Sequence, residues 1–177
     1  MKNFENEGST LWDLNSANEM IQDSIFRRGQ NALLHIRSPE SPNNIVTNLE
    51  DRLPFDNQKQ HSLHGYIKTE NAKNVSIEAR LSAGRTGESL ITVSIGDSVS
   101  GSLNWKKYWN DIPYTEQAEF FDIRSNSDIP DSGLAYSWFD DVGFIEWDTL
   151  KLITEYPISI NYPCLLYTSP SPRDGIG

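Results

Sequence analysis

From residue 24 onward, apolar and polar positions alternate with a period of two in run after run. Ala32, Leu34 and Ile36 alternate with Leu33, His35 and Arg37, and Leu63, Gly65 and Ile67 with His64, Tyr66 and Lys68. Val75, Ile77, Ala79 and Leu81 alternate with Ser76, Glu78 and Arg80. Such alternation sends successive side chains to opposite faces, which predicts strands with one solvated face. Residues 24–28, 44–55, 90–95, 98–112, 118–124 and 134–147 carry weaker forms of the pattern. Turn-forming residues separate the runs at 29–31, 39–44, 70–74, 84–87 and 125–133. Helical periodicity extends to no more than a turn within 15–22. Eight or more short strands joined by turns predict an all-β antiparallel sandwich.

The stretch Ser137 to Trp147, SWFDDVGFIEW, reads as the closing strand, with Val142 and Phe144 on one face and Phe139, Gly143 and Ile145 on the other. It begins with two adjacent carboxylates, Asp140 and Asp141. Like charges side by side cost free energy unless water, a cation or a chemical role offsets them.

Composition narrows the function. The 177 residues carry a net charge of −10 with 37 % hydrophobic residues, as expected of one globular domain with its own core. That acidity argues against nucleic acid and against an anionic membrane surface as partners. No apolar run approaches the ~20 residues of a membrane span, and residues 1–10 hold no apolar signal segment. With one cysteine, Cys164, no internal disulfide forms. Residues 164–174, CLLYTSPSPRD, resemble the conceptual translation of a sequencing adapter. The expected organisation is therefore a β-sandwich over 1–147, a linker or the start of a truncated next domain over 148–163, and a non-native tail over 164–177.

The order of several short motifs has a counterpart in a known family. Asn3-Phe4-Glu5 opens the chain, followed by Gly29, Ala32 and Leu33 at the start of a strand, and by GYIKTEN at residues 65–71. Asn104-Trp105-Lys106-Lys107-Tyr108 and Phe139-Asp140-Asp141-Val142 complete the series. This resembles the jelly-roll carbohydrate-binding modules of the cellulose- and xylan-binding type, within the galactose-binding-like sandwiches. The resemblance implies a non-catalytic module of a larger secreted bacterial protein, extracellular or at the cell surface, linked to neighbouring domains and binding polysaccharide. A spacer or interaction sandwich without a sugar site, or a hydrolase domain, are the alternatives. The resemblance also implies a structural Ca²⁺ held by Glu5 and Asp140 or Asp141, with backbone carbonyls near residues 29–31; hard oxygen ligands suit that ion.

Sugar rings are recognised by aromatic faces flanked by polar groups. Tyr108, Trp109, Tyr136 and Trp138, with Arg80, are the candidate ligand-binding residues. Tyr108 and Trp109 face opposite ways on a strand, so at most one of them lines a given surface. Trp105 is expected in the core, and Trp12 and Trp147 at the ends of the sandwich. His61 and His64, three apart on a strand, also face opposite sides and make no metal pair. There is no nucleophile elbow, zinc-protease helix motif or phosphate-binding glycine loop. The chain therefore reads as a binding module, not an enzyme.

Overall fold

The computed structural model describes residues 12–14, 18–41, 45–49 and 51–147, and all regular structure among them is strand. The strands are β1 (Trp12–Asp13), β2 (Glu19–Gln22), β3 (Ala32–Arg37), β4 (Ile45–Leu49), β5 (Leu53–Pro54), β6 (Gln60–Ser82), β7 (Ile91–Ile112), β8 (Phe120–Asp128) and β9 (Ala135–Trp147). All pairings are antiparallel, in the order β1-β4-β8-β6-β9-β3-β2, with β5 on β8 and β7 on the other edge of β6. The fold is an antiparallel β-sandwich of jelly-roll type.

The long hairpin β6–β7 makes the sandwich. The first half of β6 pairs with β9, between Gln60 and Glu70, and its second half pairs with β8, between Lys73 and Ser82. One strand thus serves two layers. The first layer is β2-β3-β9-β6-β7, using the start of β6 and the end of β7; the second is β1-β4-β8-β6-β7, using the other halves. Residues 70–74, expected as a turn, instead carry the bend. Asn71 and Asn74 adopt positive φ, as do Gly96 and Gly101 on the partner strand, and the β6–β7 register shifts repeatedly between Ile67 and Ile77. Asparagine and glycine tolerate the left-handed conformation. Here they fold a continuous ladder over without ending it.

The core lies between the layers. Leu33, Leu63, Ile67 and Phe139 of the first layer meet Val75, Ile77, Leu81 and Ile123 of the second, all buried. Trp12 joins them, whereas Trp105 is half-buried and stands outside this cluster. Two further expectations change. The segment 24–28 is the β2–β3 loop, and its strand is Glu19–Gln22, paired with β3. On β9, Asp141 (φ 48°) is the extra residue of a β-bulge, because Asp140 lies opposite Tyr66 while Gly143 lies opposite His64. The bulge resets the alternation, so Phe139 faces the core together with Val142.

Candidate functional site

Cross-strand partners in an antiparallel pair share a face, so the register defines the outer surface of the first layer. One row holds Asp111 on β7, Ser62 on β6 and Ile145 on β9. The next holds Trp109, His64 and Gly143, and the next Lys107, Tyr66 and Asp140. Beyond these, Lys68 lies beside Trp138, and Glu70 beside Tyr136. The face is a tray of aromatic rings.

Its first end is an open aromatic corner. Trp109 and Trp147 are 45 % and 42 % exposed, with ring centroids 5.9 Å apart and planes inclined by 52°. Trp147 Nε1 donates to Ser62 Oγ (2.7 Å), and Ser62 Oγ donates to Asp111 Oδ1 (2.9 Å). This relay fixes the Trp147 ring and leaves one Asp111 oxygen beside it. A shallow pocket of about 120 Å³ opens here between Gln60, His61, Asp111, Ile112 and Trp147. Beneath Trp109 lies His64, 6 % exposed, its ring 6.4 Å away and nearly parallel. Both His64 ring nitrogens are buried without a hydrogen-bond partner. Burial, and then the Lys107 charge, push its pKa down, so the ring is neutral at pH 7. Gly143 makes this possible: a methyl group there would run into the His64 imidazole. His61 faces inward against Phe55 and Phe144, on the side opposite His64 as the spacing predicted, and both histidines are buried.

The middle of the tray is built on the aspartate pair. Asp140 is buried, and its Oδ2 accepts the backbone N–H groups of Arg27 (2.7 Å) and Arg28 (3.0 Å), while Oδ1 accepts the Asp141 N–H (2.6 Å). Burial raises its pKa and these three amides oppose the rise. Asp141 Oδ2 binds Arg27 Nη1 at 2.6 Å, and the Arg27 guanidinium lies 3.5 Å from the centroid of the Tyr66 ring. The aspartates therefore clamp the β2–β3 loop and stack its arginine on the tray.

This geometry bears on the expected calcium. The described carboxylate oxygens meet amide hydrogens and a guanidinium, donors whose polarity a cation would oppose. Among the described residues no three His, Cys, Asp or Glu side chains gather around one point. Asp140 and Asp141 as placed do not fit a calcium shell; Glu5 lies outside the described residues.

The predicted ligand residues separate. Trp109 is on the tray and exposed. Trp138 and Tyr136 share the tray about 13 Å and about 20 Å further along the strands, taking roughly 3.3 Å per residue over four and six residues of β6. They stack on each other (5.7 Å, 16°), and Trp138 is only 4 % exposed. Tyr108 faces the other way, against the core, and burial raises its pKa. Arg80 lies on the second layer, bound to Asp122 through Nε (2.7 Å) and Nη2 (2.8 Å). Sequence reasoning missed Trp147, which it placed at a sandwich end, and also His64, Tyr66 and Arg27. The one available signal was parity: Trp147 shares a face with Ile145, hence with Ser62.

No family model and no curated protein matches this chain. Solved structures do match its fold. The CBM22-2 xylan-binding domain of Paenibacillus barcinonensis Xyn10C superposes with a TM-score of 0.57 at 11 % identity, covering 82 % of this chain and 98 % of that one. TmCBM61, determined with β-1,4-galactotriose, gives 0.56 at 14 % identity, covering 82 % and 95 %. The CBM22-1–GH10 modules of Clostridium thermocellum Xyn10B with xylohexaose give 0.54 at 10 % identity, covering 79 % of this chain and 27 % of that one. At these identities the likeness shows the fold.

Proposed function

We propose that this chain is a non-catalytic polysaccharide-binding module of a larger secreted protein, and that the sugar chain lies along the outer face of the first layer. The observation that carries the reading is the Trp109–Trp147 corner. Two large aromatic rings from different strands stand nearly half exposed and side by side at one end of the sheet's outer face. Exposed indole faces match the C–H faces of pyranose rings, and Asp111, Gln60 and Lys107 supply hydrogen-bonding groups at the rim. The Ser62 relay holds one ring in place before any ligand arrives, which lowers the ordering cost of binding.

A spacer without a sugar site would have no reason to expose these rings. A hydrolase would need a pair of free carboxylates, whereas Asp140 and Asp141 are committed to the loop clamp and Asp111 to Ser62. Kinship of fold with modules such as the one joined to GH10 in Xyn10B supports a place beside other domains in a longer protein.

Affinity electrophoresis of the chain through gels containing plant and microbial polysaccharides tests the reading. The chain should be retarded by at least one polysaccharide, and Trp109→Ala or Trp147→Ala should each weaken that binding ten- to hundredfold, about 1.4–2.8 kcal/mol, with melting temperature unchanged. Binding that survives both substitutions would place the site elsewhere.

A further inference from the structure

Two lysines stand on the tray of this acidic chain without an acidic partner among the described residues. Off the tray, Arg52 and Arg80 are held by Asp122, Lys59 by Glu146, Lys73 by Asp131 and Arg124 by Glu78, whereas Lys106 and Arg85 lie over the Tyr108 and Phe120 rings and Arg37 is buried. Lys68 and Lys107 lie on the tray, and among the described residues neither makes an ion pair. Each instead has its ammonium over a tray aromatic, Lys68 at 5.6 Å from the Trp138 ring and Lys107 at 5.5 Å from Trp109. Arg28, beside the clamp, likewise makes no ion pair among the described residues, its backbone N–H being the group bound to Asp140. Of the central carboxylates, Asp141 is neutralised by Arg27, and Asp140 is buried with its oxygens turned to three backbone amides. Asp111 at the corner and Glu70 at the far end are the acids left at the margins.

Resting on the proposed sugar site, we infer that its ligand carries carboxylates: the substrate class is an acidic, uronic-acid-containing polysaccharide. The rows are spaced for it. Lys107 and Lys68 lie on successive rows beside the Tyr66 ring that Arg27 covers, so a chain lying over the tray meets the two ammonium groups one after the other. An ammonium over an aromatic ring stays available as a point charge for an anion, and no carboxylate of the protein competes with it here. At 0.1 M salt the screening length is about 10 Å, so the choice falls to charges lining the tray and not to the net charge of −10.

The test compares binding of the full chain to polygalacturonate and alginate with binding to neutral xylan, β-1,4-galactan and sulfated dextran, at 0.1 M and 1 M NaCl. The inference expects a preference for a polyuronate at 0.1 M salt that shrinks at 1 M. Lys68→Ala with Lys107→Ala should lower polyuronate affinity about tenfold and remove most of its salt dependence, while melting temperature remains as in the parent. Tighter, salt-insensitive binding to a neutral glycan would overturn the inference and leave the sugar site standing. Equal retention by sulfated dextran would reduce the effect to ion exchange and overturn it as well. Binding to none of the five would overturn both readings.

Discussion

The two outer faces of this sandwich share the strands β6 and β7 and treat charge in opposite ways. On the second layer, Glu78 and Arg80 of β6 stand directly opposite Arg124 and Asp122 of β8. Asp122 is buried and bound by Arg80 at 2.7 Å and Arg52 at 3.2 Å, while Arg52 also donates to the carbonyls of Gly84 and Gly87 in the β6–β7 turn. Every group in that ladder is used internally. On the first layer the same strand presents Ser62, His64, Tyr66 and Lys68, and there the ring nitrogens of His64 and the ammonium of Lys68 have no hydrogen-bond or ion-pair partner among the described residues. A satisfied polar face stabilises the fold and has little left to offer a ligand. A face of part-exposed aromatics and free polar groups contributes less to stability and keeps its chemistry for something else.

The largest effect expected from breaking this contrast is on the ladder. Asp122→Ala removes the acceptor shared by two guanidinium groups and should cost about 3 kcal/mol in denaturant unfolding, with polysaccharide retardation intact. Loss of binding at unchanged stability would mean that the second layer belongs to the site. Acid acts on the other layer, because all three histidines, His35, His61 and His64, lie on β3 and β6 within it. Burial lowers each of their pKa values, that of His35 to about 3. The unfolded chain therefore takes up protons first. Stability is full above pH 6.5 and falls below it by about 1.4 kcal/mol per pH unit for each histidine still neutral in the fold. Asp140, shifted upward by burial, works in the opposite sense and only near the carboxylate range. Urea titrations at pH 7, 6 and 5 should show that slope; a flat profile would mean that these rings are solvated. Smaller again is Gly143→Ala, which displaces His64 from beneath Trp109. It should cost about 1 kcal/mol and weaken glycan binding several-fold, coupling the floor of the tray to its rim.

How far the sequence reveals these faces depends on where parity holds. Along residues 60–68 and 75–81 the period-two pattern identifies the core side correctly, and it separates Tyr108 from Trp109 before any coordinates are considered. Parity cannot say which layer a residue joins. Arg80 was grouped with the aromatics because a strand crossing from one layer to the other looks, in sequence, like two strands and a turn; Asn71 and Asn74 supply turn chemistry inside an unbroken ladder. Nor does parity survive a bulge. One extra residue at Asp141 moves Phe139 into the core and leaves Asp140 on the tray, buried against the loop. Trp147 was missed because its pairing with Trp109 depends on two registers, β6 with β9 and β6 with β7, that local alternation does not contain.

The smallest expected effect concerns the clamp between these faces and the ion it was expected to hold. Two adjacent aspartates need positive partners, and in this fold a cation and an arginine are competing solutions to one electrostatic problem. The structure uses Arg27, which neutralises Asp141, while the backbone amides of Arg27, Arg28 and Asp141 itself donate to Asp140. If Arg27 takes the place of the ion, excess chelator should leave the melting temperature unchanged, since only a ligand bound to the folded state stabilises it. Arg27→Ala should cost about 1 kcal/mol, because the ion pair and the stack on Tyr66 are partly solvated. The substitution also uncovers Asp141 beside Asp140. If arginine and cation are alternatives, added Ca²⁺ should restore the melting temperature of Arg27→Ala while leaving the parent chain unaffected. A parent chain that melts lower in chelator would instead show that both operate at once, with the ion drawing on ligands beyond the aspartate pair.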